Sequence, residues 1–467
     1  MRPGGGRQRR SMSLDEYRDQ CLAKLGWAFG RLGLGVAAAE LEPVAELIVQ
    51  TMTGPWRYFH TPDHIFEVGG NEDPIEVLAA LFHDIVYVQV DRGIHFNLAP
   101  YLTPFIEQDG EKLRLREADA LPANDAEMSL IFTLFDFAPG QVLSPFGGQN
   151  ELLSAFVAAK VLCTWLTPGL LSQVVVCIEA TIPFRKPSAD GTSVAEGLYA
   201  RLCAANERFG LKLGEAEIIE AVIRSVRLSN RDVNGFGDTS ARFLDNTWSL
   251  LPETNTHFKS PHSYTAREYR TSLQKTSGFL HSLDPKVIFR KFHGEPDEAT
   301  YQHLVARADH NLAVGRLYLG TKIVTMALIE ALSRRIGPDV PLTLMLGQLP
   351  TSGEPSGRLA DLLPGPKRPC IPQGTVENEV FDLLDKGRSR ESEYDLRNSP
   401  MSVFLVHAIG FDGVREELPR AQAFFDGKLS AEEYLKGGPT DAIGPLVQGI
   451  AELFAQRKQA ITISARA

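Results

Sequence analysis

The sequence predicts an all-α protein. Apolar residues recur in most of the chain at the spacing of amphipathic helices, about 3.6 residues, and long alternating runs typical of strands are scarce. Hydrophobic residues make up 43% and charged residues 23% of the 467 positions, which is ordinary for a folded globular chain. The composition excludes a disordered or collagen-like chain and favours helices packed around a core.

The first helices are predicted on either side of a short turn. Residues 1–12 are basic and lack a following apolar run, so we expect a flexible tail there and not a signal peptide. Between residues 13 and 53, apolar positions at helical spacing predict two helices before the turn at 54–55. Thr61 and Pro62 then predict a helix start, because threonine caps free N–H groups and proline is tolerated at the first helical position.

A strongly apolar helix is predicted over residues 74–87. Its composition indicates burial on nearly all sides, and His83 and Asp84 are its only late polar side chains. An ionised aspartate in such a segment costs several kcal/mol unless it is paired or bound to a metal. The His83-Asp84 pair is therefore the first chemical signal in the sequence.

The same periodicity predicts the remaining helices. The most apolar stretch, 152–182, is interrupted by polar residues and a Pro-Gly pair, so it predicts two buried helices and leaves no span of about 20 residues for a membrane. In the helix over 215–232, Asp232 shares a face with apolar neighbours such as Leu228. The other predicted helices lie at 127–135, 193–208, 267–283, 296–319 and 321–335, with shorter stretches around 380–384, 403–409 and 443–454.

Composition along the chain predicts its domain organisation. Residues 13–336 carry a nearly continuous helical pattern and are expected to form one enlarged domain. Residues 337–373 are rich in proline and glycine, which predicts a linker or surface loop. Residues 374–467 are expected to form a helical C-terminal region.

Charge and cysteine content narrow the class of protein. The chain has 48 Lys+Arg against 58 Asp+Glu, a formal net charge of −10, which argues against a general nucleic-acid partner. Its five cysteines form no close pair, so neither a disulfide framework nor a cysteine-based zinc site is indicated. We expect a protein of the reducing cytoplasm that does not bind membranes.

Three histidines and an aspartate carry the main functional signal. His60 and His64 are four residues apart, and the His83-Asp84 pair follows on the buried helix. These residue types supply nitrogen and oxygen ligands suited to a divalent metal. Adjacent helical residues point about 100° apart, so a metal reached by both must lie close to the helix, with further ligands from neighbouring helices.

These residues resemble the signature of the HD superfamily of metal-dependent phosphohydrolases: a His, a His-Asp pair and a distal Asp on an all-α bundle. The resemblance is strong in the first 90 residues and spans about 20–320; Asp232 matches the distal Asp, and 306–312 resembles a further family pattern. It implies an HD-domain helical bundle with a helical C-terminal extension. The matching residues near the N-terminus are Arg57, His60, His64, Phe82, His83, Asp84 and Tyr87.

The resemblance implies a metal-dependent phosphohydrolase that cleaves a phosphoester of a nucleotide or another small phosphorylated metabolite. Hydroxide formed at a Mn²⁺, Fe²⁺, Mg²⁺ or Zn²⁺ ion would attack phosphorus, His60 would protonate the leaving oxygen, and Asp84 could also orient the water. Arg57, Arg231 and Arg185 are candidates to bind the phosphate, although each could instead form an ordinary ion pair. The implied metal ligands are His64, His83, Asp84 and Asp232.

Two departures from the family pattern leave alternatives open. The family often has an Asn-Glu pair soon after the His-Asp pair, whereas this sequence has Asn97 there without a following Glu. The family also often has Thr-x-x-His in a middle helix, and here Thr181 is followed by Phe184 and Arg185. These departures argue against a two-metal centre and against an iron oxygenase on the same fold. A catalytically degenerate sensor that binds a nucleotide or a metal is the main competing hypothesis.

Overall fold

The protein is described here from a computed structural model that covers residues 12–110, 112–255, 258, 263–347, 358–365, 370–392 and 394–454. Within these residues the chain is predominantly helical, with one two-stranded antiparallel sheet, so the all-α prediction is confirmed. The predicted N-terminal tail lies outside the described residues except for its last position.

The chain folds as two units, each assembled from segments that are not continuous in the sequence. Unit 1 comprises Met1–Asn234 and Lys286–His303, and unit 2 comprises Gly235–Pro285 and Leu304–Ala467. The elements of unit 1 are α1 (Leu14–Arg31), α2 (Ala38–Met52), α3 (Pro62–Gly69), α4 (Pro74–His83), α5 (Val88–Asp91), α6 (Ala99–Leu102), β1 (Ile106–Asp109), β2 (Lys112–Leu115), α7 (Ala126–Phe135), α8 (Gln149–Leu162), α9 (Pro168–Ala180), α10 (Val194–Phe209) and α11 (Glu215–Asp232).

Three helices form the centre of unit 1. In α4 every residue from Ile75 to His83 is buried, and Asp73 caps the helix by accepting hydrogen bonds from the N–H groups of Ile75 and Glu76. Helices α8 and α9 are also buried on nearly all sides, which confirms the prediction of two core helices within 152–182. Because α4, α8 and α9 pack on one another, polar groups at their ends are held in a dense apolar framework.

Unit 2 is built around the C-terminal part of one long helix. The 39-residue helix α14 (Glu298–Ile336) begins in unit 1, and its residues from Leu319 to Ser333 are all buried. The elements of unit 2 are α12 (Ser240–Thr254), α13 (Ala266–Ser282), most of α14 (Glu298–Ile336), α15 (Leu342–Leu346), α16 (Leu359–Leu362), α17 (Gly374–Asp385), α18 (Pro400–Phe425), α19 (Ala431–Lys436) and α20 (Thr440–Leu453).

The predicted break at residue 320 is wrong, because α14 runs through it. A Cβ atom at Gly320 would lie 3.2 Å from a methyl group of Leu418, so the glycine serves close packing within unit 2. Tertiary packing here outweighs the helix penalty of glycine, about 1 kcal/mol. Among the described residues, α14 is the one helix long and apolar enough to cross a membrane, and 83% of its most apolar window is buried within the structure.

The predicted boundary at residues 336/337 also differs from the observed division. Residues 235–285 and 304–336 belong with the C-terminal region, not with the N-terminal helices. The side chain of Asp395 accepts hydrogen bonds at 2.7 Å from Trp248, Tyr269 and Lys322, which joins distant parts of the sequence in one buried network. The spacing of apolar residues predicts helices, but it does not show which helices pack in one core. The sequence therefore did not indicate this division.

Candidate metal centre

The first predicted metal ligand stands at a helix start. Helix α3 begins at Pro62 with Thr61 as its extended N-cap residue, so the predicted helix start is confirmed, but the Thr61 side chain does not cap an N–H group as expected. His64 therefore lies in the first turn, where its ring is only 10% exposed. A rigid first turn fixes the direction of this imidazole before any ligand binds.

The His83-Asp84 pair stands at a helix end, which corrects the expectation that both residues are helical. Helix α4 ends at His83, and Asp84 is the C-cap residue with φ −109° and ψ 13°. This conformation takes Asp84 out of the helical spacing of about 100° per residue. His83 Nε2 and Asp84 Oδ2 consequently lie 3.0 Å apart.

The fourth predicted ligand, Asp232, is the last residue of α11, and this helix has the predicted bounds. Arginines on α11 bind carboxylates at the start of α4: Arg224 contacts Asp73 at 2.7 Å, and Arg227 contacts Glu76 at 2.8 Å. Glu76 is nearly inaccessible to solvent, whereas Asp73, Arg224 and Arg227 are 18%, 23% and 30% exposed, and both pairs join α11 to α4. The packing brings Asp232 to the His83-Asp84 end of α4.

The four predicted ligands form one cluster, in which one donor atom from each lies within 4.8 Å of the others. His64 Nε2 is 3.1 Å from Asp232 Oδ1 and 3.4 Å from Asp84 Oδ2, while His83 Nε2 is 3.5 Å from Asp232 Oδ1. Donors on opposite sides of one ion lie about 4 Å apart, given metal–ligand distances of about 2 Å. The spacing therefore suits a single ion. Asp84 and Asp232 are 14% and 16% exposed, so the cluster is reached from solvent on its carboxylate side.

The charges of the cluster are strongly coupled. Burial alone lowers the pKa of His64, but hydrogen bonds to Asp232 and Asp84 outweigh it and raise the pKa to about 9. Burial would raise the pKa of Asp84, yet the positive charges of His83 and His60 hold it well below its usual value. The pKa of Asp232 falls to about 2 because its hydrogen bond to His64 and the positive charges of His83 and His64 outweigh burial. Two buried carboxylates thus require two positive charges beside them.

The surroundings of the His83 ring show whether this residue can act as a metal ligand. His83 Nδ1 lies 2.8 Å from the backbone carbonyl of Ala80, which fixes Nδ1 as the protonated nitrogen of the neutral ring. The other nitrogen, Nε2, is buried and has no hydrogen-bond partner among the described residues, although two carboxylates lie beside it. A metal-binding histidine characteristically donates its second N–H to a carbonyl or carboxylate. The donor set and the unpartnered nitrogen both fit a divalent cation.

The structure gives Arg57 a role other than the predicted phosphate contact. Its guanidinium is buried and binds Asp91 at 2.6 Å and 3.0 Å. Nη1 donates to the backbone carbonyl of Asp84 at 2.7 Å, and Nη2 to that of Ile85 at 3.2 Å. With its donors directed at these groups, Arg57 supports the backbone of a ligand residue and does not face a substrate.

Arg231 and Arg185 are likewise engaged. Arg231 donates to Glu76 at 2.6 Å and to the carbonyl of Val68 at 2.7 Å, so it belongs to the pairs between α11 and α4. Arg185 binds both carboxylate oxygens of Glu179, at 2.6 Å and 2.9 Å, but its Nε is buried without a partner among the described residues. Arg185 also lies within electrostatic range of a further carboxylate near the cluster, Glu151.

Glu151 is the site residue that sequence reasoning missed. Asn150 Oδ1 accepts from the N–H of Val88 at 3.2 Å, and Ser154 Oγ accepts from that of Val86 at 3.1 Å, so the start of α8 lies against the segment after Asp84. Burial and the negative charges of Asp84 and Asp232 raise the pKa of Glu151 to about 8. The signal that could have found it is the Asn150-Glu151 pair, which lies beyond residues 88–148, whereas such a pair was sought soon after His83-Asp84.

His60, the predicted proton donor, lies beside the cluster and not in it. Its ring centroid is 5.9 Å from that of His64 and 4.3 Å from that of Tyr87. The ring of Phe59 packs against both histidines, at 5.0 Å from His60 and 4.8 Å from His64. The structure thus brings His60 near the four ligand residues while keeping it out of the ligand set.

No family model, no curated protein and no solved structure matches this chain. The assignment to the HD superfamily stays a prediction from the motif residues.

Proposed function

We propose that the chain is a metal-dependent phosphohydrolase of the HD type that acts on a small phosphorylated metabolite such as a nucleotide. One observation carries the proposal: four side chains from three helices converge within 4.8 Å, and one of them presents a buried imidazole nitrogen without a hydrogen-bond partner among the described residues. The motif resemblance adds that these same residue types, in this order, hold the metal of HD phosphohydrolases.

The residues that would hold the ion are His64, His83, Asp84 and Asp232. A divalent ion bound there lowers the pKa of water and neutralises negative charge on a phosphoryl group. The chain supplies the orientation: the Ala80 carbonyl fixes the tautomer of His83, and Arg57 fixes the backbone of Asp84. Such support is required because small displacements in the ligand set weaken metal affinity and catalysis.

Two further side chains, His60 and Glu151, are proposed to take part in proton transfer. His60 lies next to the cluster and is proposed to protonate the leaving oxygen, a role that suits an imidazole near neutral pH. Glu151 lies in the first turn of α8, where burial favours its protonated form and hence a carboxylic acid that can donate a hydrogen bond. Neither side chain belongs to the ligand set.

Elemental analysis of the purified chain, followed by a substrate screen, tests the proposal. The screen covers nucleoside monophosphates, diphosphates and cyclic nucleotides with Mn²⁺, Fe²⁺, Mg²⁺ or Zn²⁺. We expect phosphate release that requires metal and is abolished in Asp84→Asn. The matched control is Asp63→Asn, which alters an exposed carboxylate one residue from His64.

The alternatives give different results in the same assays. A chain that binds a nucleotide and metal but releases no phosphate supports the sensor hypothesis. Two irons per chain with oxygen consumption support an oxygenase. Full activity in a metal-free Asp84→Asn protein contradicts the proposed function.

A further inference from the structure

Arginines converge on one carboxylate at the end of α9. Glu179 is fully buried, and its oxygens accept from Arg185 at 2.6 Å and 2.9 Å and from Arg201 at 2.5 Å. Arg201 also donates to the carbonyl of Leu134 at 2.7 Å, which ties it to α7. One negative charge therefore holds two guanidinium groups in place.

A third guanidinium, that of Arg290, also lies at the end of α9, although it comes from another segment of unit 1. Arg290 donates to the backbone carbonyls of Ala180 and Ile182, just after Glu179. Its own backbone exchanges two hydrogen bonds with the side chain of Asn230, at 2.8 Å and 2.9 Å. Asn230 lies two residues before Asp232, so Arg290 connects the end of α9 to the end of α11, where the candidate metal ligand stands.

The start of α8 lies in the same region of unit 1, next to Ile182. Gly148 has a φ of +90°, and a Cβ atom there would lie 2.5 Å from Ile182 Cδ1, so the backbone before α8 presses against the residue whose carbonyl Arg290 binds. Glu151, one turn further on, is within electrostatic range of Arg185 and Arg290 as well as Asp84 and Asp232. Because Arg290 is also within electrostatic range of Asp232, the arginine group and the metal-ligand cluster are neighbours.

Positive charges outnumber negative charges around the end of α9. Arg185, Arg201 and Arg290 act on the single carboxylate Glu179. Asp232 is also within electrostatic range of Arg290, but it lies against two histidines of the cluster, and Glu151 can offset at most one of the two remaining positive charges. Burial and the positive charge of Arg185 lower the pKa of Arg290 to about 9, so its guanidinium stays charged at neutral pH. Arg185 Nε is in addition a buried donor without a partner among the described residues. Excess positive charge with an unused donor is the chemistry of an anion site.

We infer that Arg185 and Arg290 form an anion-binding subsite beside the His–Asp cluster, and that it takes the dianionic phosphate of a monoester. The inference deepens the proposed phosphohydrolase function and rests on it. A monoester is a dianion at pH 8, because its second pKa is about 6, whereas a cyclic diester carries a single charge. A metal ion and two guanidinium groups suit the dianion, which favours phosphomonoesters over cyclic nucleotides as substrates.

Binding of inorganic phosphate to the full chain at pH 8 tests the subsite directly. Titration calorimetry compares EDTA-treated and Mn²⁺-loaded protein, with dimethyl phosphate as the singly charged probe. We expect phosphate to bind the EDTA-treated chain and to bind at least about tenfold more tightly than dimethyl phosphate. Arg185→Gln and Arg290→Gln should each weaken phosphate binding by at least about tenfold. Wild-type protein that binds no phosphate in either form overturns the inference, whatever the variants do.

Control variants separate binding from structural support. Arg208→Gln removes an exposed arginine of the same unit and should leave phosphate binding unchanged. Arg290→Lys keeps the charge and should recover part of the affinity lost in Arg290→Gln. A folded Arg290→Gln protein with unchanged phosphate affinity overturns the inference even if the chain hydrolyses phosphoesters. Arginine-dependent phosphate binding by a chain that hydrolyses none would leave the subsite standing and remove the proposed function.

Discussion

Arg57 Nη1 donates a 2.7 Å hydrogen bond to the backbone carbonyl of Asp84, while the same guanidinium holds both carboxylate oxygens of Asp91. The arginine lies 27 residues before Asp84 in the chain and is buried. It therefore acts on a candidate metal ligand through the main chain, by fixing the point at which α4 ends. A residue that sequence analysis assigned to the substrate thus supports the metal centre.

Replacing Arg57 tests this supporting role. Arg57→Gln leaves the Asp91 carboxylate without its partner, and we expect a loss of about 3–5 kcal/mol in the free energy of unfolding. Metal affinity should fall by about 10–100-fold, the usual effect of losing an outer support of a metal site. Urea denaturation and metal titration measure the two effects. Arg18→Gln, which breaks an exposed pair with Asp15, is the control and should cost less than about 1 kcal/mol.

Metal retention distinguishes the ligands from their neighbours. His83→Gln, Asp84→Asn and Asp232→Asn should each lower metal affinity by more than about 100-fold, because a ligand contributes more than its outer supports. His60→Gln should retain the metal and lose turnover instead. Elemental analysis after gel filtration, combined with phosphate release, measures both quantities. A His60→Gln protein that loses its metal would place His60 in the ligand set and contradict the assignment.

Glu151→Gln tests the residue that the structure added to the site. Glutamine keeps the size of the side chain but can neither give nor take a proton, so we expect turnover to fall by about 10²–10⁴-fold. The metal content should be unchanged, since Glu151 does not belong to the ligand cluster. Unchanged turnover with full metal content would show that Glu151 has only a packing role.

Glu179 predicts a stability that depends on acid pH. Burial alone would raise its pKa, but the positive charges of Arg185, Arg201 and Arg290 hold it below its usual value. Because the folded-state pKa is the lower one, the stabilisation is complete above the unfolded pKa, about 4.3, and disappears as the pH falls through the folded value. At pH 7, Glu179→Gln should cost about 3–5 kcal/mol.

Urea denaturation of wild type and Glu179→Gln between pH 7 and pH 3 checks this prediction. The difference in the free energy of unfolding should shrink only below about pH 4. A difference that is constant across this range would show that the ionised form of Glu179 is not what the arginines stabilise.

The sequence alone determined the features that depend on neighbouring residues. Pro62 sets the start of α3, and caps and periodicity set the approximate extent of α4 and the bounds of α11; these signals act over a few residues. These helix ends carry His64, His83, Asp84 and Asp232, which the motif resemblance had named as ligands and which the structure brings into one cluster.

Only the tertiary structure decided which groups surround those ligands. The partner of a long arginine side chain depends on how distant helices pack: Arg57 meets Asp91, Arg231 meets Glu76, and Arg185 meets Glu179. Glu151 comes near the site from beyond residues 88–148 for the same reason. Helix patterns are local, whereas ion-pair partners and shared cores are fixed by contacts between residues far apart in the chain, which a single sequence does not encode in any local pattern.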